Sequence, residues 1–254
     1  MRGNDHDPTR SESAALHIHG APGERARHAG VARAIRPLLV AMFVAGVLVG
    51  NVLPWHGAGV PGVVLLVAAV ATLYATLVLG RRRVASFFLG AAGEQAVGAE
   101  LARLPGGRDL FHGVDLGAAD PAMRKGSDLD HVVVGPEGVC VVETKAWSGR
   151  VTLEDGRFLV DGRAPTRPPL MQIRTSTRML SDWLARHGEP DVPVRAIVCF
   201  AGTGGRDLHC RVDEVAVCGL PYLRETILRP QGEVSLSAGR QSRIAALLDG
   251  CVKL

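Results

Sequence analysis

The sequence predicts an α/β domain with a mixed central sheet, preceded by two transmembrane helices. Two long apolar stretches without a charged residue occupy residues 37–55 and 59–80. Beyond them, short Val-rich runs alternate with amphipathic segments in the order α-β-β-β-α-β, which favours a sheet with both parallel and antiparallel pairs. The chain is therefore expected to comprise a disordered tail (1–35), a transmembrane hairpin (36–83) and a folded domain (84–254).

The two apolar stretches have the length and the flanking charges of membrane spans. Each is close to the ~20 residues that cross a bilayer core, and only the uncharged "HGAG" separates them. Arginines lie on both outer sides of the pair: Arg25, Arg27, Arg33, Arg36, Arg81, Arg82 and Arg83. The positive-inside rule then predicts a two-span protein of the cell membrane with both termini and the folded domain cytoplasmic. A cleaved signal peptide is the weaker alternative, because a second apolar stretch follows the first.

The charge distribution limits the functions that fit. The formal net charge of +4 arises before residue 84, since residues 84–254 contain 20 Lys and Arg against 21 Asp and Glu. A uniformly basic surface for nucleic acid is therefore not expected. A transport pathway is disfavoured because the spans hold no charged residue. Five scattered cysteines without a CxxC pair fit a reducing compartment and no disulfide framework.

The first element of the folded domain is a predicted helix over residues 90–107. Val97, Leu101 and Leu104 form its apolar stripe, and "PGG" ends it. Glu94 lies at the buried edge of this stripe. The spacing alone leaves two interpretations open: a solvated first-turn acid favoured by the helix dipole, or a functional carboxylate.

The remaining elements follow from alternation and turn residues. "DLFHGVDL" predicts a short strand, and "VTLEDGRFLVDG" (151–162) predicts a hairpin with an Asp-Gly turn. Residues 168–188 predict a helix that begins with Pro and ends with Gly. Val-rich strands are expected over 192–200 and 213–219, and two helices over about 219–229 and 240–250.

Between these elements, the stretch "VVVGPEGVCVV" predicts a tight hairpin whose register brings acidic residues together. If Val134 pairs with Val139, the numbers of opposed residues sum to 273. Asp130 then faces Glu143, with Cβ atoms ~4.5–5.5 Å apart. Asp128 faces Lys145 in the same register, and Glu143 and Lys145 emerge on one face because side chains alternate along a strand.

This pairing has two possible meanings. Adjacent carboxylates repel each other unless a cation lies between them, and Mg²⁺ prefers oxygen ligands of this kind. Lys145 beside such an ion would stabilise an attacking hydroxide or the charge that develops on a phosphate. The alternative is a plain ion pair between Lys145 and Asp130 or Glu143 at a strand end, and the geometry alone does not separate the two.

Three segments carry a resemblance to a known family: "GAAGE" (90–94), "DLDHVVVGPEGVCVVETKAWSG" (128–149) and "PPLMQ" (168–172). From about Gly90 to about Cys218 the chain resembles the NERD (nuclease-related) domain, a branch of the PD-(D/E)XK nuclease-like superfamily. The resemblance implies a restriction-endonuclease-like αβββαβ core, the same order that the sequence pattern predicts. Ala146 departs from the polar residue that many relatives have before the tryptophan.

The resemblance also implies the roles of the site residues. Asp130, Glu143 and the carbonyl of Thr144 would bind Mg²⁺ or Mn²⁺, and Lys145 would hold the attacking water. Glu94 and Gln172 would be the acid and the polar residue that the two core helices add to the catalytic set.

The functional prediction is a membrane-tethered, Mg²⁺-dependent nuclease that hydrolyses DNA or, as the second choice, RNA. Its partners would be nucleic acid and, through residues 37–80, the membrane. Seven basic residues against three acids between Lys145 and Arg178 give a local positive excess, although Arg174 and Arg178 also fit a solvated helix face. The alternative function is a non-catalytic module of the same fold that binds nucleic acid or a protein partner at the cytoplasmic membrane face.

Overall fold

The computed structural model describes residues 15–24, 31, 35, 39–47, 60–120, 123, 128–229 and 235–252. The chain divides into two compact units, one of Glu24–Ala91 and one of Met1–Gly23 together with Ala92–Leu254. The predicted boundaries fell after residues 35 and 83. The observed division assigns the described residues 15–23 to the same unit as the folded domain.

The secondary structure begins with β1 (Leu16–His19) and a long helix, α1 (Val60–Leu101). The following elements are β2 (Arg108–Asp115), α2 (Leu116–Ala119), β3 (Asp128–Gly135), β4 (Gly138–Lys145), β5 (Val151–Glu154), β6 (Arg157–Val160), α3 (Pro169–Arg186), β7 (Val194–Phe200), β8 (His209–Val212), β9 (Val215–Gly219), α4 (Leu223–Leu228) and α5 (Ala238–Asp249). Short 3₁₀ turns precede β8 and α4, and residues 39–47 are also helical. The order α1-β2-β3-β4-α3-β7 is the predicted one.

A seven-stranded mixed sheet in the order β1-β2-β3-β4-β7-β9-β8 forms the centre of the larger unit. β2, β3 and β4 are antiparallel neighbours, whereas β4, β7 and β9 run parallel to one another. This confirms the predicted α/β fold with a mixed sheet. β5 and β6 form a separate two-stranded hairpin, whose turn residues Asp155 and Gly156 both have positive φ, as an Asp-Gly turn requires.

Each face of the sheet carries one apolar cluster. On the first face, Val132, Val134, Val139 and Val141 pack with residues of α3 and α5, among them Ile173, Leu180, Ile244 and Leu248. On the second face, Val133, Cys140 and Val142 pack with Val97 and Leu101 of α1 and with residues of α4. Because β3 and β4 are apolar on both faces, they form the buried centre of a three-layer arrangement.

Helix α1 differs from the prediction in its extent. Residues 90–107 were expected to form a separate helix, whereas α1 runs without a break from Val60 to Leu101. No proline lies between residues 62 and 104, and the Arg-, Ala- and Leu-rich sequence there favours helix. The predicted stripe of Val97, Leu101 and Leu104 is buried, as expected.

The membrane prediction is only partly covered by the structure. Among the described residues, no helix is both long enough and apolar enough to cross a membrane. The connecting loop 56–59, part of the first stretch and the arginines at 25, 27, 33 and 36 lie outside the described residues. The two-span hairpin stays a prediction.

The prediction of a disordered tail is wrong for Leu16–His19, which form β1. This strand pairs in parallel with Arg108–Phe111 at one edge of the sheet. Four residues in a polar context give too short an alternation to predict a strand. The partner strand lies about 90 positions further along the chain, so no local pattern indicates the pairing. Residues 1–14 lie outside the described part.

Candidate active site

The β3–β4 hairpin has the predicted register but opens before it reaches the acidic residues. His131 pairs with Val142 and Val134 with Val139, so the numbers of paired residues sum to 273. The ladder ends at His131. The predicted pairing of Asp130 with Glu143 is therefore not formed. The carboxylate of Asp130 instead accepts a hydrogen bond from the backbone N–H of Thr144, at 2.8 Å. The side chain thus takes the place of a backbone partner where the strands separate.

Lys145 does not face Asp128, as the extended register would require. Its ammonium donates to Glu143 Oε1 at 2.6 Å and to Gln172 Oε1 at 2.9 Å. Asp128 is exposed and lies opposite Asp115 of β2. The prediction for Asp128 was therefore wrong because the strands separate, whereas Glu143, Lys145 and Gln172 lie together.

Helix α1 brings Glu94 to the same place through a close approach at Gly93. A Cβ atom added to Gly93 would lie 2.5 Å from the Cβ of Ala146, which directly follows β4. Only a glycine fits there, and the small Ala146 side chain supports the same contact. The helix can therefore approach the strand end closely enough for Glu94 to interact with Glu143 and Lys145.

The charges of the cluster are not balanced. Burial and the charge of Glu143 raise the pKa of Glu94 to about 7. Burial, Glu143 and Glu94 together raise the pKa of Asp130 well above its usual value, although the Thr144 N–H and Lys145 act in the opposite direction. Three carboxylates share one ammonium. The Glu143–Lys145 ion pair that the sequence left as an alternative is present, but it does not neutralise the site.

The donor atoms fit a hard divalent cation. Asp130 and Glu143 provide carboxylate oxygens at adjacent strand ends, and the Thr144 carbonyl lies between Glu143 and Lys145 in sequence. Oxygen ligands in a site with excess negative charge are what Mg²⁺ or Mn²⁺ prefers. Within the described ranges, no three His, Cys, Asp or Glu side chains form a metal-binding group, so a site here would combine two carboxylates with a backbone oxygen.

Sequence reasoning missed two features next to the cluster. On the opposite face of the sheet, His112 Nδ1 and His131 Nδ1 lie 2.7 Å apart in the core, and burial lowers the pKa of His112 to about 4. Phe200 pairs with Lys145 across β4 and β7 and contacts the rings of Trp147 and Phe158. The Asp130-His131 dipeptide was the available signal for the first feature, because alternation places His131 behind the acidic residue.

The raised pKa of Glu94 predicts a pH-dependent stability in the absence of metal. A carboxyl whose folded pKa lies above its unfolded value of 4.5 stabilises the fold below that value and loses this contribution as the pH rises to about 7. The melting temperature of the parent should therefore fall over this window relative to that of Glu94→Gln. Parallel pH profiles for the two proteins would contradict the prediction.

Comparison with known proteins finds a similarity over the segment that contains this cluster. A family model described as "Nuclease-related domain" (NERD) matches residues 89–201. The matched segment contains Glu94, Asp130, Glu143, Lys145 and Gln172, and it confirms the resemblance seen in the sequence over this range.

One curated protein shows a shorter similarity. The chain is 37% identical over 83 residues to the "Probable kinase PglW" of Streptomyces coelicolor. This match covers 31% of the chain but only 5% of that protein. No solved structure matches the chain significantly.

Proposed function

We propose that the unit containing residues 92–254 is a nuclease that uses Mg²⁺ or Mn²⁺ to hydrolyse phosphodiester bonds, with DNA preferred over RNA. The observation that carries the proposal is the convergence of Asp130, Glu143, Lys145, Gln172 and Glu94 where β3 and β4 separate. The NERD match over the same residues supports a nuclease-related function. The cleavage experiment on Lys145 described in the Discussion tests it.

The residues divide the work between metal binding and proton handling. Asp130, Glu143 and the Thr144 carbonyl would hold the ion. When bound, Mg²⁺ supplies positive charge to the phosphate oxygens and acidifies water. Thr144 also fixes Asp130, because its N–H donates to that carboxylate.

Lys145 is held in one position by two acceptors. Of its three N–H groups, one donates to Glu143 and one to Gln172, which leaves the third for an oxygen of water or substrate. An ammonium placed in this way opposes negative charge that builds on the phosphate. The amide N–H₂ of Gln172 can add a further donor, because its oxygen is engaged by Lys145. Glu94, with a pKa of about 7, can gain or lose a proton near neutral pH.

The arginines near the site favour a nucleic-acid partner, although two of the basic residues between Lys145 and Arg178 lie close to acidic residues. Arg174 forms an ion pair with Asp213, and Arg178 Nε lies 4.0 Å from Asp182 Oδ2. In contrast, four exposed arginines between residues 150 and 167 have no ion pair in the part of the chain that the structure describes: Arg150, Arg157, Arg163 and Arg167. We call this segment the arginine hairpin. It packs beside the site through Phe158, whose ring centroid lies 5.3 Å from that of Phe200.

Replacing three of these arginines is expected to weaken DNA binding without affecting the site. Arg157→Ala/Arg163→Ala/Arg167→Ala should lower the affinity and reduce the slope of log K against log salt by ~0.9 for each lost phosphate contact. Binding is measured without divalent metal, so that cleavage does not interfere.

The matched control removes the same charge from ion-paired arginines, as Arg174→Ala/Arg178→Ala/Arg229→Ala. Its salt dependence should stay close to that of the parent. Equal losses in the two triple variants would show that total charge, and not the arginine hairpin, determines binding.

A second candidate is a non-catalytic module that binds nucleic acid or a protein at the membrane. The near balance of charges in residues 84–254 favours it, because nucleases that grip a duplex are usually more basic. A kinase activity is not proposed, since the match covers only 5% of the protein of that name. Binding of DNA without hydrolysis under any divalent metal would select this second function.

Membrane anchoring through residues 37–80 is part of the proposal, with both ends of the chain on the cytoplasmic side. It is supported by the two uncharged apolar stretches and by β1, which precedes them and pairs with β2, which follows them. A single sheet lies on one side of a membrane, which favours an even number of crossings for a membrane-anchored intervening segment. A reporter fused after Leu254 that is active only outside the cell would contradict this topology.

A further inference from the structure

Trp147, two residues beyond Lys145, lies beside the candidate active site. Its ring centroid is 5.4 Å from that of Phe200, and Phe200 is the partner of Lys145 in the pairing of β4 with β7. Partners in a parallel pair point to the same face of a sheet, so Trp147 lies on the face that carries Lys145 and Gln172. A nucleotide bound at the site would therefore lie close to the indole.

The indole of Trp147 is partly exposed, unlike that of Trp183. Trp183 is 1% exposed and belongs to the core, whereas Trp147 packs at the border of the same apolar cluster as a partly buried side chain. Tryptophan combines a large flat apolar surface with one polar N–H. The exposed part of this ring therefore offers a ligand an apolar surface next to a charged cluster.

Two glycines of the loop after β7 hold the backbone around Trp147. A Cβ atom added to Gly202 would collide with the Trp147 carbonyl, and one added to Gly204 would collide with the Gly149 carbonyl. The loop thus packs directly on the stretch that follows β4. A side chain on a backbone fixed in this way loses little conformational entropy when it binds a ligand.

The arginine hairpin is attached to the same stretch and to the same buried ring. The N–H of Arg150 donates to Asp161 Oδ1 at 2.8 Å, and the N–H of Asp161 donates to the Arg150 carbonyl at 2.9 Å. Phe158 of the hairpin contacts Phe200, which also contacts Trp147. Basic residues combined with an aromatic ring are typical of proteins that bind single-stranded nucleic acid.

We propose that Trp147 is a base-stacking residue, which makes single-stranded or locally unpaired DNA the preferred substrate of the site. An unpaired base can stack on the indole while the arginine hairpin binds the flanking phosphates. Bases inside a duplex stack on each other and must leave the helix before they can do so. The position of the stacked base beside the cleaved bond rests on the proposed function, whereas the stacking itself does not.

The charge balance of the chain agrees with this substrate. Residues 84–254 contain 20 Lys and Arg against 21 Asp and Glu, fewer basic residues than binding through phosphates alone would favour. Stacking on an aromatic side chain contributes ~1–3 kcal/mol for each base without any positive charge. One stacked base can therefore supply affinity that the charges do not.

Binding of single-stranded and duplex DNA by the full-length protein in EDTA tests the proposal. Affinities are measured by fluorescence anisotropy with one labelled oligonucleotide, alone and annealed to its complement, and the parent should prefer the single strand. Trp147→Leu keeps an apolar side chain but no aromatic face, and should weaken single-strand binding about tenfold with duplex binding unchanged. Trp147→Phe keeps an aromatic face and should retain most of the affinity. An unchanged single-strand affinity in Trp147→Leu, or an equal loss for both DNAs, would overturn the proposal.

Tyr222→Leu is the matched control. Tyr222 is also a partly buried aromatic residue, but it packs against the cluster on the opposite face of the sheet and stacks on His209. Its replacement should leave the single-strand affinity at the parental value. The same loss in Tyr222→Leu as in Trp147→Leu would overturn the proposal, because the effect would then not be specific to the site.

Tryptophan fluorescence decides the question if Trp147→Leu does not fold. A base stacked on an indole quenches its emission, so the single strand should quench the parent but not Trp147→Phe, which retains the other two tryptophans. Unquenched emission of the parent at saturating DNA, or equal quenching in Trp147→Phe, would overturn the proposal. Neither measurement needs cleavage: a single strand that stacks but is not cut would contradict the proposed nuclease and leave this inference standing.

Discussion

Lys145→Ala is expected to abolish metal-dependent cleavage of DNA, with a loss of at least ~10²–10³-fold. The ammonium is fixed between Glu143 and Gln172, at 2.6 and 2.9 Å, and alanine leaves no donor there. Metal affinity should stay similar or rise slightly, because a cation near the ion is removed. The measurement is cleavage of linear and supercoiled plasmid by the purified protein, with EDTA as the blank.

Lys145→Arg is the matched variant for charge. It should restore little activity, because the planar guanidinium is bulkier than an ammonium and presents its donors in a fixed fork. In the parent, the single nitrogen of Lys145 donates to both Glu143 and Gln172. Cleavage that persists in Lys145→Ala would point to another site or to a contaminating nuclease, and would remove Lys145 from the mechanism.

Asp130→Asn is expected to lose the ion yet keep the fold. The amide oxygen of asparagine can still accept the Thr144 N–H, whereas one of three mutually repelling carboxylates becomes neutral. Without metal, its melting temperature should equal or exceed that of the parent. Saturating Mg²⁺ should raise the melting temperature of the parent, as ligands do that bind only the folded state, and should leave Asp130→Asn unchanged.

Asp128→Asn is the control for this experiment. It removes the same charge from the same strand at an exposed position outside the cluster. Its response to Mg²⁺ should match that of the parent. An equal Mg²⁺ response in Asp130→Asn would mean that the ion binds elsewhere.

The sequence predicted the register of β3 and β4 because a four-residue Gly-Pro-Glu-Gly connection and apolar alternation determine it locally. The separation of the strands beyond His131 was not predictable, because it depends on competition between the Asp130 side chain and a backbone acceptor for one N–H. Alternation correctly placed Glu143 and Lys145 on one face. It placed Asp128 there wrongly, because the ladder was assumed to continue.

Contacts between distant segments account for most of what the sequence could not show. Gln172 was assigned to the site through the family resemblance, and its distance from Lys145 follows from how α3 packs on the sheet. The ion pair of Arg174 with Asp213 joins residues 39 positions apart, which no local pattern encodes. The pairing of β1 with β2 is of the same kind, since β2 lies on the far side of the apolar segment.

The most direct test of the central claim, that Asp130 and Glu143 form a divalent-metal site, is calorimetric titration of Mn²⁺ into the full-length protein. The arrangement of these two carboxylates around the Thr144 backbone predicts binding of one ion per chain, lost in both Asp130→Asn and Glu143→Gln and retained in Asp128→Asn. Absence of binding by the parent, or binding that survives in both site variants, would contradict the claim.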